Sequence, residues 1–315
     1  RLVMEINITQ FYSDCNPRNY SASAAELGQD AGKITWNNAL QTAAYRENVR
    51  LKPEDAEGRS ALGVVLGNDR RFDEAVDCLR EAIRLAPNVG LYHSHLGATL
   101  LKMGLIDDAI DELRKATQLA PESADALHNL GTALGSKNQI DEAILALREA
   151  IRLRPQSSPS RIVLANALWT KGSFDESIAE AREAIRLQPD HAEAHGILGN
   201  ALLSKGLLNE SIAALRESLR LAPDRAQVMT KLGSALGIKG DAAAAVAILR
   251  EAVRLGPENA EVHFDLGNAC FGFGLLDDAA AAYREAIRLA PDYAEAHCNY
   301  GDILSATGLV HEALA

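Results

Sequence analysis

Apolar residues recur along most of this chain with the spacing of one face of an α-helix. Leu96 and Leu100 lie four residues apart, and Ile106, Ile110 and Leu113 follow at spacings of four and three. Such spacings place side chains on one side of a helix and leave polar residues on the other. The pattern predicts two consecutive amphipathic helices, and each needs a neighbour to bury its apolar face.

This helix pair is repeated with a fixed period. Eight of the ten prolines are 34 residues apart: Pro53, Pro87, Pro121, Pro155, Pro189, Pro223, Pro257 and Pro291. When each unit is numbered so that its proline is position 32, complete units begin at residues 56, 90, 124, 158, 192, 226 and 260. We name each unit by its first residue.

The spacing also predicts how the chain is organised. Seven complete units occupy residues 56–293, and a partial eighth unit occupies residues 294–315. We expect an irregular segment over residues 1–20 and a diverged first repeat over residues 21–55 that caps the array. Because the partial unit stops early in its second helix, we expect the natural protein to continue beyond Ala315.

Each unit carries the same small and apolar residues at fixed positions. Position 7 is leucine in every complete unit, position 8 is glycine except at Ala165, and position 15 is glycine in most units. Over 34 residues this combination resembles the tetratricopeptide repeat. The resemblance implies an all-α fold, a right-handed superhelical solenoid of stacked antiparallel helix pairs. The position-15 glycine predicts a left-handed residue between the two helices of a pair.

Composition and charge exclude several functions. The formal net charge is −11, which disfavours binding to nucleic acid. The longest apolar stretch is far shorter than the roughly 20 residues of a membrane span, and the four cysteines are scattered as in a reduced, cytoplasmic protein. We find no catalytic motif, phosphate loop or metal-ligand spacing, so we expect no enzyme activity and no cofactor.

The resemblance further implies a concave groove lined by positions 2, 5, 6, 9, 12 and 13 of the first helices. Carboxylates outnumber lysines at these positions by seven to two. We therefore expect an electronegative groove that selects basic or neutral extended segments. The carboxylates are Glu57, Asp125, Glu193, Glu261, Asp265, Glu295 and Asp302, and the lysines are Lys102 and Lys231.

Asparagines and aromatic residues complete the candidate groove. Each asparagine amide can bind a peptide backbone without reading its side chains, although these residues are alternatively no more than polar groove residues. A similar ladder marks the superhelix of the O-linked N-acetylglucosamine transferases, and the match here is partial. The asparagines are Asn129, Asn166, Asn200, Asn268 and Asn299. Trp169, Phe264 and Phe271 are either exposed anchors or stacking contacts between first helices.

Together these features predict a non-catalytic protein-interaction scaffold that binds an extended peptide segment in an acidic, asparagine-lined groove. One alternative is the substrate-recognition arm of a longer enzyme such as a glycosyltransferase. Another is homotypic assembly through the apolar ends of the array.

Overall fold

The computed structural model describes the backbone of residues 31–306 and the side chains of residues 41–305. Throughout that range the secondary structure is helical, which confirms the all-α repeat fold predicted from periodicity. The irregular segment predicted for residues 1–20, the first ten residues of the predicted diverged repeat and residues 307–315 of the partial unit lie outside the described residues.

The chain divides into two compact parts, one ending at Pro87 and one beginning at Asn88. The first part contains α1 (Ala31–Leu51), α2 (Ala56–Asn68) and α3 (Phe72–Leu85). In the second part the helix pairs keep the 34-residue spacing, and the last pair is described through its first helix. These helices are α4 (Gly90–Lys102), α5 (Ile106–Leu119), α6 (Ala124–Ser136), α7 (Ile140–Leu153), α8 (Ser158–Lys171), α9 (Phe174–Leu187), α10 (Ala192–Ser204), α11 (Leu208–Leu221), α12 (Ala226–Lys239), α13 (Ala242–Leu255), α14 (Ala260–Gly272), α15 (Leu276–Leu289) and α16 (Ala294–Ala306).

The turn inside each pair has the backbone conformation that position 15 predicts. Gly104, Gly172 and Gly206 have φ angles of 79°, 84° and 73°. Arg70 and Asn138 occupy the same position in their units and adopt φ angles of 61° and 63° although they carry a Cβ. At Arg70 the turn is therefore set by the repeat geometry although the residue does not favour it, whereas asparagine tolerates this conformation.

The two helices of a pair pack most closely where position 8 faces position 24. A Cβ added at Gly131 would lie 2.5 Å from Cγ of Leu147, which is fully buried. Unit 158 has a different residue pair at this contact, with Ala165 in place of the glycine and Ala181 in place of the leucine. Both alanines are fully buried. In every complete unit at least one of the two side chains is thus no larger than a methyl group, and in unit 260 Gly267 faces the larger Tyr283.

Candidate functional site

In the part that begins at Asn88, the first helices α4, α6, α8, α10, α12, α14 and α16 form one continuous surface. From α4 through α14, each first helix contacts the first helix of the next unit. The second helices pack onto the first helices of their own and the following unit, with no comparable contact between successive second helices among the described residues. We call the exposed side of the first helices the inner face.

A regular stagger relates neighbouring units on this face. Ser234 at position 9 hydrogen-bonds to Asp265 at position 6 of the next unit, and Asn268 at position 9 is bonded in the same way to Asn299. Both pairs are 31 residues apart. The same 31-residue stagger relates Asn200 to Lys231 in sequence position.

The structure brings together only two of the five predicted asparagines. The Oδ1 atom of Asn268 accepts a 2.7 Å hydrogen bond from the Tyr283 hydroxyl and a 2.9 Å bond from Nδ2 of Asn299. This leaves the amide nitrogen of Asn268 and the amide oxygen of Asn299 without a partner in the described structure. Asn166 is exposed and Asn129 is half-buried, and neither is hydrogen-bonded to another asparagine among the described residues.

Asn200 differs from the other four asparagines. It is half-buried, and its Oδ1 atom is inaccessible to solvent and has no hydrogen-bond partner among the described residues. A buried acceptor without a donor is uncommon and unfavourable. Its stagger partner Lys231 is instead drawn to Glu261, where the ammonium lies 2.6 Å from the carboxylate.

Part of the predicted negative charge is neutralised within the chain. Glu261 is paired with Lys231, and Arg154 holds the carboxylate of Asp125 through two bonds of 2.6 and 3.0 Å. The sequence count of groove cations missed Arg154 because it lies at position 31, outside the first helix. Glu193 and Glu295 are exposed and have no ion partner in the described part of the chain.

The carboxyl group of Asp265 on the inner face has a perturbed pKa. Burial raises the pKa of this carboxyl above its ordinary value, and nearby Glu261 raises it further, although the 2.5 Å bond from Ser234 and the charge of Lys231 act in the opposite direction. Burial, Asp265 and Glu261 likewise raise the pKa of the Tyr293 hydroxyl. Asp265 therefore remains short of positive charge at the junction of units 226 and 260.

Aromatic rings border this carboxylate. The ring of Phe264 lies 4.8 Å from that of Tyr293 and 5.9 Å from that of Tyr283, measured between centroids. Phe264 thus takes part in stacking between units. Ser234 and Tyr293 were not predicted from the sequence. The 31-residue stagger from Asp265 could have indicated Ser234, and position 34, next to the following first helix, could have indicated Tyr293.

The other two predicted aromatic residues have different environments. Trp169 is half-buried against the contact between α8 and α10, and its Nε1–H donates a 3.2 Å bond to Oγ of Ser204. Phe271 is 49% exposed, near the end of α14. Stacking thus explains much of the Trp169 position, whereas Phe271 presents apolar surface to solvent.

Three of the four histidines at position 4 among the described residues have a structural role. Nε2 of His195, His263 and His297 lies 2.8, 2.8 and 2.9 Å from the carbonyl oxygen of the preceding position-32 proline. Each N–H therefore satisfies a carbonyl at the junction of two units. No group of three metal-ligating residues occurs in the part of the chain that the structure describes, and none of its helices is long and apolar enough to span a bilayer.

Comparison with known proteins identifies the repeat. Family models for the tetratricopeptide repeat match residues 56–89, 88–156, 162–226, 230–294 and 272–315. No curated protein matches the sequence.

Two solved structures illustrate the likeness of fold. The first is the crystal structure of the APC/C hetero-tetramer Cut9-Hcn1, with a TM-score of 0.69 and 16% identity over 84% of this chain and 52% of that chain. The chain therefore spans about half the length of that relative. The second comes from the functional characterization of Pseudomonas aeruginosa pilF, with a TM-score of 0.60 and 20% identity over 69% of this chain and 97% of that chain. At these identities the likeness shows the fold alone.

Proposed function

Because the chain belongs to the tetratricopeptide repeat family, whose members are generally protein-interaction scaffolds, we propose that its inner face binds an extended, basic or neutral segment of another protein. The observation that carries the proposal is the surface around Asp265, where charge, aromatic rings and free amide groups adjoin on successive units. The predicted groove residues of units 192 to 294 contribute to this surface.

Asp265 supports recognition of a cationic side chain. Its carboxylate is partly buried and short of positive charge, because the neighbouring Lys231 is engaged by Glu261. The rings of Phe264 and Tyr293 border the same place, and an aromatic face attracts a guanidinium or ammonium group. An arginine or lysine of the bound segment would therefore supply the missing charge and stack against these rings.

The asparagine pair supports recognition of a peptide backbone. Asn268 keeps a free amide donor and Asn299 keeps a free acceptor, since their shared bond uses only one group of each. An extended peptide presents one N–H and one C=O per residue, which these groups complement. Backbone contacts of this kind hold a segment in place, while Asp265 selects its charge.

Two synthetic peptides of equal length, identical except for arginine or glutamine at two central positions, test the proposal by calorimetry on the full chain. We expect the arginine peptide to bind more tightly and Asp265→Asn to weaken it by about tenfold. The matched control is Asp111→Asn, which removes the same charge from an exposed position on α5. Equal losses in both variants would show that net charge alone attracts the peptide, and the inner-face assignment would be rejected.

A further inference from the structure

A second surface lies at the edge where the two helices of each pair are joined, and it adjoins the inner face at the C-terminal ends of the first helices. In units 124, 158 and 192 the lysine at position 14 forms an ion pair at this edge with the aspartate at position 18 of the preceding unit. These pairs are Lys137 with Asp107, Lys171 with Asp141, and Lys205 with Asp175. Each of these three units is thus joined to the previous one by an ion pair, and we call such a pair a rung.

Unit 226 has no such ion pair with the preceding unit among the described residues. Asn209 replaces the aspartate that would face Lys239, and Lys239 is exposed with no ion partner among the described residues. One unit further on, Ala243 replaces the aspartate and Phe273 replaces the lysine. The edge therefore changes from ion-paired to apolar between units 192 and 260.

A second row of ion pairs is interrupted at the same junction. Arginine at position 25 bonds to an acidic residue at position 19 of the next unit, as Arg182 does with Glu210 at 2.9 Å and Arg250 with Asp278 at 2.7 Å. Arg216 faces Ala244 instead, and it has no ion partner in the described structure. Arg216 lies seven residues after Asn209 on α11, about 10 Å along the helix axis.

Large apolar side chains are exposed where the rungs are missing. Ile238 is 67% exposed and Phe273 is 53% exposed, and Leu207 and Phe271 are also exposed. The helices α12 and α14 contact one another, and on another pair of first helices Trp169 bonds to Ser204, 35 residues further along the chain. The same offset relates Ile238 to Phe273. We call Leu207, Ile238, Lys239, Phe271 and Phe273 the docking edge.

We propose that the docking edge binds an amphipathic segment of a partner protein that presents apolar side chains beside carboxylates. Lys239 and Arg216 keep their charge but have lost the acidic residues that neutralise their counterparts in neighbouring units, so carboxylates of the partner replace the missing rungs. Contiguous exposed apolar surface beside such cations is typical of interaction sites. A symmetric contact between two copies would instead bring together two edges that both carry Lys239, with no carboxylate among the docking-edge residues to pair with it.

Two synthetic amphipathic peptides serve as probes, with the same leucine and phenylalanine positions and either glutamate or lysine at the remaining positions. On the full chain we expect the glutamate peptide to bind, and the double variant Ile238→Ser, Phe273→Ser to weaken it by about tenfold or more. Leu145→Ser is the matched control, because Leu145 on α7 is exposed to the same 67%. Lys239→Glu is expected to shift the preference toward the lysine peptide.

A separate variant tests the charges while the apolar surface stays in place. Asn209→Asp with Ala244→Glu restores both rungs, and we expect it to weaken the glutamate peptide while leaving the arginine peptide at the inner face unaffected. The proposal is overturned if the double serine variant binds as the wild type does, or if Leu145→Ser loses as much affinity. It is equally overturned if light scattering shows a dimer that the serine variant abolishes, because the occupant is then a second copy.

Discussion

Replacing Gly131 by alanine should destabilise the repeat array, although alanine is the better helix former. The new methyl group would lie 2.5 Å from Cγ of Leu147, 2.9 Å from Cδ2 and 3.2 Å from the carbonyl oxygen of Ala143. Leu147 is fully buried, and close-packed interiors leave little space for a side chain to move. The substitution therefore overpacks the contact between α6 and α7.

The expected magnitude follows from two opposing effects. Replacing glycine by alanine inside a helix raises the free energy of unfolding by about 1 kcal/mol because alanine has the higher helix propensity. Overpacking a rigid core lowers the free energy of unfolding by about 1–3 kcal/mol. The net result should be a loss of about 1 kcal/mol. Leu147→Ala alone should cost about 2–5 kcal/mol through the cavity that it leaves. In the double variant the methyl group enters that cavity, and we expect a favourable coupling of about 1–3 kcal/mol.

The assay is urea unfolding of the full chain, followed by circular dichroism, for the wild type, both single variants and the double variant. Gly135→Ala is the control, because a Cβ at Gly135 meets no atom within 4 Å and the substitution should be neutral or stabilising. Unit 158 gives the precedent, since Ala165 and Ala181 already form the alanine pair. A Gly131→Ala variant as stable as Gly135→Ala, or a double variant whose loss equals the sum of the single losses, would refute this account of the packing.

Three further predictions concern the turn and two titrating groups. Arg70→Gly should stabilise the first part by about 0.5–1 kcal/mol, because it removes a left-handed residue that carries a Cβ; an unchanged thermal midpoint would contradict this. Burial raises the pKa of Asp265 above its ordinary value of 3.8, so the folded state favours the protonated carboxyl, and stability present below pH 3.8 is lost as pH rises through the folded pKa. Asp265→Asn should therefore raise the melting temperature at neutral pH, and the gain should shrink as pH falls toward 3.8. Burial lowers the pKa of His128 below 6.5, so its contribution is present above pH 6.5 and is lost as pH falls through the folded pKa. His128→Gln should flatten the acid side of the stability profile, and an identical slope in the wild type and the variant would count against the assignment.

The sequence placed the candidate site on the first helices but could not assign the pairings of its side chains. The carboxylate, lysine and asparagine positions on the first helices were readable from the repeat, and most remain at the surface. Which of them stay available was decided by neighbours about 30 residues away, as Arg154 neutralises Asp125 and Lys231 neutralises Glu261. Asp265 stands out on the inner face because burial raises the pKa of its carboxyl group, and that burial depends on how the units stack.

By itself, the sequence determined the period, the helix pairs and their turns, because these depend on local spacing and on the small residues that each unit repeats. The glycine at position 15 and the spacing of Leu96 and Leu100 act within a single unit and are visible in one copy of the pattern. Only the tertiary structure decided the stagger between units, which joins Ser234 to Asp265 and leaves Lys239 opposite Asn209. The physical reason is that the repeat fixes how each helix forms, whereas the contacts of a surface side chain are fixed by the adjacent unit against which its helix packs.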